Sequence, residues 1–221
     1  MNRFATAVAL LVSVASAHAA SDRLSRSADV FKEIMATSDR GIPQDLLQKA
    51  ECIVIVPGMK KGAFIVGANY GRGFVLCRKD PAGWSAPAAI RIEGGSLGFQ
   101  IGGSETDVVM LVLNRRGAEK LMSSKFTLGG DASVAAGPVG RTSTAETDAL
   151  MHAEMLSWSR SRGAFAGIAL KGATLRPDMD SNKELYGREM ETKVIVETAA
   201  PPEAAAPLIT LLNRYSSRGS K

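Results

Sequence analysis

The residues able to do chemistry are few and poorly matched. His152 is the one histidine beyond the first twenty residues, and a hydrolytic serine needs such a base beside it. No GxSxG elbow surrounds any serine, so nothing presents a nucleophile. Asp107, Glu146, Asp148 and Glu154 supply carboxylates, but paired-carboxylate catalysis needs a geometry that spacing alone does not provide. Gly67, Gly71 and Gly73 do not space as GxGxxG opening a helix, and nothing matches GxxxxGK before Ser or Thr. A phosphate loop aims backbone amides from a helix N-terminus. Here glycine is followed by strand, where it serves turns, bulges and close sheet contacts. With 2 His and 2 Cys in the chain, no metal set is assembled. The expectation is a binding protein, not an enzyme, with no cofactor.

Positive charge is more informative. The chain carries 27 Lys and Arg against 22 Asp and Glu, a net charge of +5. That excess attracts anionic lipid or another acidic surface. It is too diffuse for nucleic acid, with no arginine-rich arm and little aromatic interleaving. Lys60 and Lys61 follow Pro57 and Gly58. Arg72 is expected at a hairpin tip, Arg78 and Lys79 end a strand, and Arg115 and Arg116 begin a helix. Turn-borne cations can converge on lipid phosphates, each contributing about 1 kcal/mol near an anionic membrane; ordinary solvated charge is the competing reading. Cys52 and Cys77 sit in the strand-like runs CIVIV and FVLC. Either they pair in an oxidising compartment, stabilising the fold by about 3 kcal/mol, or they remain buried thiols that behave as small hydrophobes.

The elements that must position these residues are short strands between helices. Residues 1–19 read as a signal peptide: Arg3, then a short apolar stretch, then Ala17, His18 and Ala19 as a small-x-small cleavage site. An uncleaved anchor is the rival. The mature protein is expected to be periplasmic or secreted and peripheral to a membrane. Residues 20–41 form an amphipathic helix with Leu24, Ala28, Phe31 and Met35 on one face and Arg23, Arg26, Lys32 and Glu33 elsewhere. It either lies on a membrane surface or docks on the core.

Pro43 suits the start of a second helix. Residues 52–56 make a buried strand ended by Pro57 and Gly58. Residues 63–69 and 74–78 make a hairpin turning at Gly71 and Gly73. Ile90 and Ile92, then Leu97, Phe99 and Ile101, mark half-buried strands joined at Gly94 and Gly95. Residues 108–113 are apolar on both faces, as in a central strand. A short helix follows at 116–122, strands at 155–160 and 164–170, and a helical turn at 180–186. Residues 198–221 are a Pro/Ala linker and a helix whose stripe is Leu208, Leu211, Leu212 and Tyr215. The fold class is α+β: a single domain with an antiparallel, barrel-like or sandwich-like β core flanked by N- and C-terminal helices.

An ordered set of segments carries a family resemblance: IPQDLLQKAECIVIVPGMKKGAFIVGANYGRG, WSAPAAIRIEGGSLGFQIGGSETDVVMLVLN, KFTLGGDASVAAGPVGR, SWSRSRGAFAGIALKG and NKELYG. Together they resemble the SYLF domain, the Ysc84-type, actin-regulator-related lipid-binding module, over residues 42–197. The resemblance implies a non-enzymatic domain that binds anionic phospholipid or phosphoinositide-like head groups. It points to the N-terminal helix, whose cations are Arg23, Arg26 and Lys32, and to Lys60 and Lys61 as contact candidates, which Arg72 joins from its expected place at the hairpin tip. Trp158 stands where the family often has tyrosine. The expected partner is an anionic phospholipid membrane surface, with phosphatidylglycerol or cardiolipin as bacterial targets. No nucleic acid is expected, and a protein partner is unspecified. The alternative is a periplasmic protein-interaction scaffold.

Overall fold

The computed structural model of this chain describes residues 3–37, 41–63, 67–79, 82–96, 104–138, 152–161, 164–167, 170 and 172–216. Helix α1 (Arg3–Ala36) leads to the short α2 (Gln44–Lys49). Four strands and then one more helix follow: β1 (Cys52–Ala63), β2 (Gly67–Cys77), β3 (Ala88–Ser96), β4 (Ser104–Val112) and α3 (Arg115–Leu121). Then come β5 (Phe126–Thr127), β6 (Val134–Ala136), β7 (Met155–Ser161), β8 (Ala164–Gly167) and β9 (Thr174–Pro177). The chain closes with α4 (Met179–Tyr186), α5 (Thr192–Thr198), a 3-10 turn (Glu203–Ala205) and α6 (Ala206–Tyr215).

The strands form one sheet in the order β5-β9-β3-β2-β1-β4-β7-β6, with β8 beside β7. Its pairings are antiparallel except β6 with β7. The two ends of this order, β5 and β6, are consecutive in the chain. Leu128 bridges Ala132 between them, so the sheet must curl until its edges nearly meet. The result is a barrel-like sheet flanked by N- and C-terminal helices. Curling shelters sheet edges that would otherwise invite foreign strands.

Side-chain alternation divides the core. Val54, Val75, Ile90, Val108 and Met110 face inward, together with Phe126 of β5 and Val134 of β6. Ile53, Ile55, Phe74, Leu76, Val109 and Leu111 face outward, against Leu24, Phe31 and Ile34 of α1 and Leu208 and Leu212 of α6. β4 lies between β1 and β7, and its residues 108–112 are fully buried, the pattern of a central strand. The amphipathic helix therefore docks: Leu24, Phe31 and Ile34 have no exposed surface. It ends at Ala36, short of the expected residue 41.

The hairpin expected at Gly71 and Gly73 is not there. β1 and β2 pair from Cys52 opposite Cys77 to Ala63 opposite Gly67, so both glycines lie within β2. Pro57 and Gly58 do not end β1 either. The register slips between Ile55 and Lys60, and Gly58 takes a φ of 62°, which glycine adopts without strain. The glycines answer this bulge. A Cβ at Gly73 would lie 2.0 Å from Ile55 O. Lys60, Lys61 and Arg72 are thus strand residues, not turn residues. Gly94 and Gly95 likewise fall inside β3. Leu97, Phe99 and Ile101 lie outside the described residues, as do Glu146 and Asp148.

Candidate functional site

Antiparallel partners share a face of the sheet, so register decides which cations meet. Arg72 pairs with Arg91, and Arg91 pairs with Arg176. Two residues further along each strand and on the same face, Lys60 faces Tyr70, Tyr70 faces Glu93, and Glu93 faces Thr174. These residues occupy the outer face beyond the helices. Tyr70 is 43% exposed, and the side chains of Arg72, Arg91 and Arg176 are 40%, 36% and 42% exposed. Lys60 is exposed; the side chain of Lys61 lies outside the described residues.

The row carries few counterions. Arg72 Nε donates to Tyr70 Oη at 2.8 Å and lies 3.4 Å from the buried Asp178 Oδ2. The tyrosine hydrogen bond raises the Arg72 pKa most, ahead of the attraction of Asp178. Glu93 approaches Arg91 Nε at 2.9 Å and Arg176 Nε at 3.7 Å.

The α1 cations behave differently. Arg23 Nη1 donates to Ser181 Oγ at 3.2 Å, and burial lowers its pKa against the pull of Asp178. Arg23 and Arg72 therefore converge on one carboxylate at the N-cap of α4, where Asp178 also accepts from Ser181 N–H at 3.3 Å. Arg26 is exposed and lies 3.4 Å from Glu105, and Lys32 is exposed.

Among the described residues, one cleft opens on this face and another on the inner side of the sheet. One, of about 480 Å³, runs between α1 and the sheet and is lined by Arg26, Asp29, Glu33, Glu105, Asp107 and Arg160. Asp107 Oδ1 accepts from Gly58 N–H at 2.8 Å, and Arg160 Nη2 reaches Asp107 Oδ2 at 2.6 Å while also pairing with Glu33. Burial raises the Asp107 pKa, opposed by the Gly58 hydrogen bond. This network clamps α1 to the sheet. The other cleft, of about 540 Å³, is bordered by Cys52, Cys77, Arg78, Lys79, Arg115 and Lys193, with Glu51, Glu119 and Glu197 interspersed. Cys52 and Cys77 are directly opposite and bridged. Arg78 is committed to the fold: it donates to Leu47 O and Ala50 O and covers the Trp84 ring at 4.1 Å. His152 is exposed, and its carbonyl accepts from Ser133 Oγ at 2.7 Å.

Sequence reasoning named Arg72 and Lys60 but missed Arg91 and Arg176. The signal for Arg91 was present, since Ile90, Arg91, Ile92 and Glu93 alternate in and out. Nothing in the sequence sets β9 beside β3, so Arg176 had no neighbour to reveal it.

The family profile described as "Ysc84: Las17-binding protein actin regulator" matches residues 93–215, more than half of the chain. An SH3 domain-containing protein of Schizosaccharomyces pombe is 37% identical over 177 residues, covering 78% of this chain and 41% of that protein. LAS seventeen-binding protein 3 of Saccharomyces cerevisiae is 34% identical over 180 residues, covering 79% and 39%. The SH3 domain-containing YSC84-like protein 1 of Rattus norvegicus is 33% identical over 192 residues, covering 85% and 56%. The chain thus spans about two fifths to three fifths of these relatives' lengths. With its curled sheet, docked flanking helices and profile match, this chain belongs to the Ysc84 (SYLF) family.

Proposed function

We propose that this chain is a non-enzymatic, exported protein that binds anionic phospholipid surfaces. The observation carrying the reading is the bare outer sheet face, where Lys60 and Arg72 flank the exposed ring of Tyr70. An aromatic ring with a polar tip suits a membrane interface, and cations near an anionic leaflet each contribute about 1 kcal/mol. Export rests on the signal-like residues 1–19; in an envelope, phosphatidylglycerol or cardiolipin would supply the head groups. Among the described residues no helix is long and apolar enough to cross a membrane. Contact is therefore assigned to the sheet face, since the apolar side of α1 is already buried.

Cosedimentation with vesicles tests this. Recovery is expected with phosphatidylcholine doped with phosphatidylglycerol, not with phosphatidylcholine alone, and should fall as salt rises. Equal recovery in both, or none in either, overturns the reading. Lys60→Glu with Lys61→Glu should weaken binding several-fold; unchanged affinity clears those two residues. The scaffold alternative rests on the Pro/Ala linker and the Leu208 to Tyr215 stripe. Leu208 and Leu212 are buried inside the fold, which leaves that stripe little to offer a partner.

A further inference from the structure

The row Arg72, Arg91 and Arg176 costs the fold something. Like charges directly opposite on neighbouring strands repel, and strands lie about 4.8 Å apart. Here three such residues stand side by side on β2, β3 and β9. Lys125 is exposed and immediately precedes β5. The β5–β9 register, which sets Phe126 opposite Leu175, continues the row to it. The local acids do not resolve the repulsion. Asp178 serves Arg72 and also attracts Arg23, and Asp180 adds a weaker pull on Arg72.

Glu93 is shared between Arg91 and Arg176. Its approach meets a distance but not a direction: Nε of each is shut from solvent and lacks a formed hydrogen bond. The recorded contacts of all three arginines run through Nε. Among the described residues their outer Nη donors have no hydrogen-bond partner. A guanidinium offers five donors in a planar fork that matches phosphate.

We propose that Arg72, Arg91 and Arg176 form a phosphate-binding site, in which Glu93 holds the place of the anion until a phosphate group displaces it. A free phosphate presents more oxygens and more charge than one carboxylate, and a lipid phosphodiester, though it carries the same single charge, is not tethered to β3 as Glu93 is, so either can align with neighbouring guanidinium groups that Glu93 leaves poorly satisfied. The inference rests on the lipid-binding reading for the source of the phosphate; a free phosphate in solution shares the same chemistry.

The test uses the full chain and two probes: phosphatidylcholine vesicles doped with phosphatidylglycerol, and inorganic phosphate followed by phosphorus NMR. Arg91→Gln with Arg176→Gln should lower vesicle affinity about tenfold. Arg115→Gln with Lys193→Gln removes the same charge from the helices over the inner face and should change it less than about twofold. Arg91→Lys with Arg176→Lys keeps the charge but loses the fork; a several-fold loss is expected from this pair, which also covers a glutamine pair that fails to fold. Glu93→Gln should raise affinity about threefold. Equal losses in the two charge-removal pairs, or a Glu93→Gln protein that binds more weakly, overturn the proposal. If wild type and the arginine pair bind vesicles equally, the site fails and the lipid reading stands. If vesicles are ignored while inorganic phosphate binds in an arginine-dependent manner, the site stands and the lipid reading fails. Silence from both probes sinks both.

Discussion

At the scale of single residues, Tyr186 shows how burial converts into pH dependence. Its hydroxyl donates to Pro87 O at 2.7 Å, and burial pushes the phenol above its ordinary range. The neutral phenol therefore contributes stability that is complete below the free value of about 10. That stability is lost as pH rises through the elevated folded value. The Tyr186 phenolate, read as the absorbance difference between wild type and Tyr186→Phe, should appear only as folded circular dichroism disappears. Its appearance in folded protein would contradict the burial argument. Removing the hydroxyl should cost about 1 kcal/mol, because Pro87 O loses its partner. Individual residues were unevenly legible. Arg72 stood out as a cation beside glycines, but its partners Tyr70, Asp178 and Arg91 are set by register and by α4.

At the scale of elements, α1 decides between two uses of one amphipathic stripe. Leu24, Phe31 and Ile34 face the same core as Leu208 and Leu212, and Phe31 meets the Tyr215 ring edge-on at 6.1 Å. A stripe spent this way is not free for lipid. Phe31→Ala should therefore destabilise the folded protein by about 3 kcal/mol, measured by denaturant unfolding. A cost near zero would return α1 to the membrane-helix reading. Periodicity foretold this helix, the central strand β4 and the helix α6. It missed α5, because TKVIVET is rich in β-branched residues that disfavour helix; burial of Ile195 and Val196 against the inner core overrides the propensity. It also misplaced the first hairpin, since glycine serves a close sheet contact as readily as a turn.

For the whole molecule, the bridge between Cys52 and Cys77 acts on the unfolded chain as much as on the folded one. Separated by 25 positions, the two cysteines close a loop that limits the denatured ensemble. Reduction, or Cys52→Ser with Cys77→Ser, should lower stability by about 3 kcal/mol with little change in the folded spectrum. A loss below about 1 kcal/mol would mean that the denatured chain already holds β1 and β2 together. The sequence by itself determined the α+β class, the small residues that let strands approach, the scarcity of catalytic groups and the family, because these depend on composition, local periodicity and ordered motifs. Only the tertiary structure decided that the sheet curls until β5 and β6 nearly meet and that α1 is docked. It also decided that arginines from positions 72, 91 and 176 stand in one row. Those outcomes depend on which distant strands become neighbours, and non-local pairing leaves no mark in the spacing of residues along the chain.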